Sequence, residues 1–141
     1  MNIMESEPEA YHAMGALEKY AASTPVSKIQ KELIKIRASQ INSCAYCIQM
    51  HTADARKAGE TEQRIYALSA WQESPLFSDE ERVLLAMTEE ITLIADKGLS
   101  EETYQAARAI YDEQRIAQLI MLIVTINSWN RIAVATHLIH K

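Results

Sequence analysis

Glycine and proline, the residues that most often interrupt helices, occur only three times each in 141 residues. Between them apolar residues recur three and four apart, with little of the strict alternation that marks strands. The chain is therefore expected to fold as an all-α, compact multi-helix bundle, and its length suits a single domain over residues 1–141. The punctuation predicts the helices. One covers residues 9–22 and a second opens at Ser23-Thr24-Pro25, with Pro25 in its first turn. A third is capped by Asn42 or Ser43, runs through His51 to about residue 58 and stops at Gly59. A shorter one spans residues 61–69, and Ser78-Asp79-Glu80-Glu81 reads as a capping box opening a helix that stops at Gly98. Ser100 opens another, to about residue 110, and the last runs from Asp112 to near His137.

The only two cysteines lie in Cys44-Ala45-Tyr46-Cys47, with His51 one turn further on and Glu32 on the preceding predicted helix. At about 100° per residue, Cys44, Cys47 and His51 share an arc of roughly 60°, so two sulfurs and an imidazole line one helical face. A Cys-x-x-Cys pair can cycle between dithiol and disulfide. Two arguments compete over which sulfur is more acidic. A helix N-terminus favours a thiolate at Cys44, whereas the i,i+4 spacing makes His51 the nearest base for Cys47. Glu32, at the edge of the stripe Val26, Ile29, Leu33, Ile36, should be partly buried. It can orient and charge His51, or pair with Lys28, Lys31 or Lys35. Structural zinc would use the same residue types as the cysteine motif but normally closes with four ligands.

Composition removes several function classes. A net charge of −5 with scattered basic residues offers no stripe for nucleic acid. The N-terminus carries no secretory pattern, and the uninterrupted apolar run at residues 119–124 is too short for a bilayer, so a cytoplasmic location is the expectation. In the last helix the apolar stripe continues into Asn127, Asn130 and Arg131, which must find partners if buried. A contact of Arg131 with Glu89 or Glu90 is expected there, with lining of the cysteine site as the sharper reading. Trp71 and Trp129 read as core or interface aromatics.

The run from Glu32 to Cys47, followed by His51, Ala55-Arg56 and Gly59-Glu60, resembles the carboxymuconolactone decarboxylase superfamily, and within it the alkylhydroperoxidase D-like core. Trp71, Ser78-Asp79-Glu80-Glu81-Arg82 and Ile126-Asn127-Ser128-Trp129-Asn130-Arg131 extend the likeness to residues 8–135. The resemblance implies an all-α fold assembled as a homo-trimer or homo-hexamer. It also implies a cofactor-independent, metal-free thiol peroxidase whose partners are a hydroperoxide and a thiol reductant. By it Cys47 matches the sulfur that attacks peroxide, Cys44 the resolving thiol of a Cys44–Cys47 disulfide, and His51 with Glu32 the relay that deprotonates Cys47. The chain departs from that pattern at Tyr46, where alkylhydroperoxidase D members carry a second histidine; a phenol with a pKa of about 10 is no base near neutrality. The decarboxylase branch generally lacks the cysteine pair.

Overall fold

The structure, a computed structural model, describes residues 1–140. Every regular element among them is helical: α1 (Ile3–Ser6), α2 (Pro8–Ser23), α3 (Lys28–Ile41), α4 (Ala45–Lys57), α5 (Glu62–Ala67), a 3₁₀ segment (Leu68–Glu73), α6 (Asp79–Thr92), α7 (Ile94–Lys97), α8 (Glu101–Arg108) and α9 (Glu113–Ala135). Short polar side chains start most of the longer helices. Ser27, Thr61, Ser78, Ser100 and Asp112 each accept a hydrogen bond from the backbone N–H three residues on, and Glu81 returns the bond to complete the capping box.

The departures from expectation have local causes. Helix α1 was missed because it is one turn long, capped by Asn2, and buries no residue that would create a periodic pattern. Pro25 is not in the first turn of α3. Ser27 supplies the cap, and the preceding bend turns Val26 into the core. The helix expected to reach Gly98 breaks at Leu93 (φ −91°, ψ 45°), leaving α7 as a separate turn. Beside that break the Glu90 carboxylate accepts from the Ser100 N–H and hydroxyl (both 2.9 Å) and from the Thr103 hydroxyl (2.8 Å), tying the start of α8 to α6.

Three helices make the centre. Leu33, Ile34 and Ile36 of α3, Leu84, Leu85 and Met87 of α6, and Leu119, Leu122, Ile123 and Ile126 of α9 are all essentially inaccessible and belong to one core. Helix α4 lies against α3 and α9, so it is held by the central helices at the point where the cysteines occur. Among the described residues α9 is the one helix long and apolar enough to cross a membrane, at 23 residues and mean hydropathy 1.2. Here it is packed among α2, α3, α4, α6 and α8 as the spine of the bundle.

Truncating that spine should be costly. Ile123→Ala is expected to lose about 2–5 kcal/mol in denaturant unfolding, whereas Val124→Ala on the more exposed side should change stability by only about 0.5 kcal/mol.

Candidate active site

The link between α3 and α4 is a helix-ending turn that places Cys44. Asn42 closes α3, and Ser43 takes a left-handed backbone (φ +54°). The Ser43 N–H then donates to Gln40 O (3.2 Å) and the Cys44 N–H to Ser39 O (2.9 Å), the paired bonds of a Schellman motif. Asn42 and Ser43 therefore do not cap α4. Cys44 does so itself, its sulfur accepting from the Cys47 N–H at 3.4 Å. The turn needs a left-handed residue just before the new helix, and Ser43 is spent on that conformation.

Both cysteines are free thiols and nearly inaccessible, Cys44 at 1% and Cys47 at 2% exposure, in a small cluster with Ala133 of α9 and the Tyr46 ring. Cys44, Asn130 and Ser39 flank the Cys47 thiol closely enough to act on its ionisation. Burial, with a smaller push from Cys44, drives its pKa up to about 12 against the opposing pull of Asn130 and Ser39. The sequence arguments weighed a helix terminus at Cys44 and a base near Cys47, and neither reckoned with burial. Removal from water is the dominant influence on Cys47.

Glu32 is more deeply buried than its stripe-edge position suggested, at 2% exposure. One carboxylate oxygen meets His51 Nδ1 at 2.9 Å, and the other lies 3.9 Å from Lys28 Nζ and 3.8 Å from Lys35 Nζ. The two sequence readings of Glu32 thus coexist, one per oxygen. Lys31 is occupied elsewhere, donating to the carbonyls of Ala22 (2.9 Å) and Thr24 (2.8 Å) at the end of α2. Burial pulls the Glu32 pKa up. The His51 hydrogen bond and the charges of Lys35, His51 and Lys28 outweigh it, so the carboxyl sits below its ordinary value. With Nδ1 engaged by Glu32, the Nε2 nitrogen is the one left for other work.

A buried amide network underlies the site and replaces the expected Arg131 ion pair. The Asn42 amide donates to Asn127 Oδ1 and Asn130 Oδ1, both at 2.9 Å. Asn130, fully inaccessible, donates to the Ser39 hydroxyl (2.9 Å), and Asn127 donates to Thr92 Oγ1 (3.0 Å) and Ile123 O (2.9 Å). Arg131 donates to the backbone and side-chain oxygens of Asn127. Glu89 instead takes Arg37 (2.9 Å) and the Trp71 indole (2.8 Å), while the Trp129 indole donates to Glu18 (2.9 Å). The polar stretch is thus a helix–helix contact made by amides in place of the ion pair, and Asn130 also flanks Cys47. Ser39 was overlooked. The available signal was its place seven residues after Glu32, on the same helical face, where an apolar residue belongs.

Metal capacity is limited. Glu32, His51 and Asp54 each offer an atom within 4.8 Å of the others, a set that contains neither cysteine. Lys28 and Lys35 bring two ammonium groups to the same carboxylate and oppose a cation there.

Comparison with known proteins gives the chain relatives. The model described as Carboxymuconolactone decarboxylase family matches residues 8–90, which contain Glu32, both cysteines and His51. The uncharacterised protein YdfG of Bacillus subtilis is 50% identical over 135 residues, covering 96% of this chain and 92% of that protein. Among solved structures, a protein of Agrobacterium tumefaciens of unknown function, proposed to be an antioxidant defence protein AhpD, superposes with a TM-score of 0.97 at 38% identity, over 100% of this chain and 97% of that one. The debrominase Bmp8 shares the fold alone, at 20% identity and a TM-score of 0.82 over 95% of this chain and 72% of its own.

Two outcomes follow from the electrostatics. Alkylation of Cys47 by iodoacetamide in the folded, reduced protein should keep accelerating with pH and reach no plateau below about pH 10. A carboxyl whose folded pKa lies below its ordinary 4.5 stabilises fully above that value and loses the contribution as pH falls through the folded pKa. Glu32→Gln should therefore flatten the acid limb of the stability profile and leave its slope above about pH 6 unchanged, measured by denaturant melts across pH.

Proposed function

This chain belongs to the carboxymuconolactone decarboxylase family, and we propose that it is an alkylhydroperoxidase-like thiol peroxidase that cycles between a Cys44/Cys47 dithiol and its disulfide. The shared fold does not select the chemistry. The observation that carries the reading is the buried Glu32–His51 pair one turn from a buried, unbonded dithiol on the same helix face.

In this mechanism Cys47 rests as a thiol, because its pKa is pushed up to about 12. His51 takes the proton as peroxide enters, directly or through one water, and Glu32 holds the imidazole by Nδ1 and stabilises the imidazolium that forms. Asn130 and Ser39, which flank Cys47, favour the transient thiolate. The thiolate attacks the terminal peroxide oxygen, the O–O bond breaks, and Cys47 becomes a sulfenic acid with release of an alcohol. The Cys44 thiol then displaces water to form the disulfide, and an external thiol returns two electrons. The cycle calls for no bound cofactor or metal.

The remaining proposals concern setting. We place the domain, residues 1–141, in the cytoplasm, where thiol reductants are at hand. Leu93, Ile94, Val124 and Val134 are exposed apolar side chains, which supports assembly as a homo-trimer or homo-hexamer. The burial of both sulfurs favours one alternative, a redox sensor in which the disulfide alters packing without turnover.

Thiol counting tests the reading. Excess tert-butyl hydroperoxide should consume both thiols of the wild type and spare the one thiol, Cys44, that Cys47→Ser retains, while Cys44→Ser should hold a dimedone-reactive sulfenic acid. His51→Ala should slow the oxidation by roughly 10²–10⁴-fold. Oxidation of both thiols that never turns over, whatever dithiol is supplied, would select the sensor.

A further inference from the structure

The chain end supplies a second imidazole to the same place. Helix α9 closes at Thr136, and His137 takes a left-handed backbone (φ +53°), an uncommon conformation for a residue other than glycine. The His137 N–H donates to Val134 O (3.2 Å) and the Leu138 N–H to Ala133 O (2.9 Å), so a Schellman turn redirects the tail. Ala133 is the α9 residue packed on Cys44 and Cys47. The redirected tail sets the His140 ring against Tyr46, with centroids 5.3 Å apart and planes inclined by 49°. Tyr46 packs in turn on the two cysteines.

His140 Nδ1 is shut off from solvent and has no hydrogen-bond partner among the described residues. Native proteins rarely leave a buried ring nitrogen unpaired, and where they do a functional cause is common. The neighbouring chemistry offers one. Attack of a thiolate on a hydroperoxide expels an alkoxide, which needs a proton, while His51 is occupied in accepting the proton of the thiol.

We propose that His140 is a further catalytic residue, whose Nδ1 hydrogen-bonds the bound hydroperoxide and protonates its departing oxygen. The inference rests on the peroxidase reading of the Cys44/Cys47 site. In the step, the Cys47 sulfur forms a bond to the terminal oxygen and loses two electrons, and the O–O bond breaks. The sulfenic acid keeps the terminal oxygen and its hydrogen, and the alkoxide takes a proton from His140 Nδ1 to leave as alcohol. The proton that His51 took from the thiol makes good the one that His140 gave once the product has left, so the sum is thiol plus hydroperoxide giving sulfenic acid plus alcohol.

The test uses the full chain, reduced, with tert-butyl hydroperoxide as oxidant and iodoacetamide as a reagent whose iodide leaving group needs no proton. His140→Phe keeps a ring against Tyr46 and removes the nitrogen, and His140→Ala removes both. Both variants should oxidise about 100-fold more slowly than wild type while alkylating at the wild-type rate. A wild-type oxidation rate in His140→Phe would overturn the proposal, leaving only the packing contact. Parallel slowing of oxidation and alkylation would overturn it as well, since the tail would then act on thiol access. Failure of the wild type itself to be oxidised would instead remove the peroxidase reading, so the two failures are distinguishable.

Discussion

A carboxylate almost wholly removed from water organises the part of the molecule that matters for chemistry. Glu32 carries its charge inside the bundle because His51 and two lysines surround it. Stripped of those partners, the group would be among the most costly things the fold could bury. The pair ties α3 to α4 across 19 residues of sequence and fixes the rotation of α4 about its axis. That rotation decides which face of α4 turns inward, and the cysteines are on that face. A surface ion pair would leave the rotation to hydrophobic packing alone.

The amide network does for α9 what Glu32 does for α4. Asn42, at the end of α3, holds Asn127 and Asn130 together, and Asn130 continues to Ser39 and Cys47. Each bond is an ordinary one, but the groups are buried, so any sliding of α9 past α3 would leave several unpaired at once. The dithiol therefore sits at the junction of two registers, one set by a charge and one by amides. Burial also explains the state in which Cys47 rests. Cys47 is stored as a thiol, and its reactivity depends on a base being offered a path to the proton.

The fold class was readable in the sequence because helix stops are so few and because Ser78, Ser100, Asp112 and Gly59 mark boundaries by mechanisms that act within four residues. The proximity of Glu32 to His51 was readable for the same reason: the stripe of α3 and the spacing in α4 are local patterns. What escaped was whatever depends on a partner far along the chain. Asn42 looked like a cap because nothing nearby reveals that its amide is committed to α9, 85 residues away. Arg131 looked like half of an ion pair, because the claims of Arg37 on Glu89 and of Ser100 on Glu90 are visible only in three dimensions. The relative acidity of the two sulfurs stayed open on similar grounds, since a spacing rule counts charges and dipoles but not the water that has been excluded.

Helix α9 and the tail beyond it also set a timetable. Asn130 and Ala133, which lie beside the sulfurs, and His140, which lies against Tyr46, are synthesised long after Cys44 and Cys47. On the ribosome the two thiols emerge with α3 and α4 well before anything exists to enclose them. The nascent polypeptide thus carries an open dithiol, and that pair is enclosed only once α9 has emerged and docked.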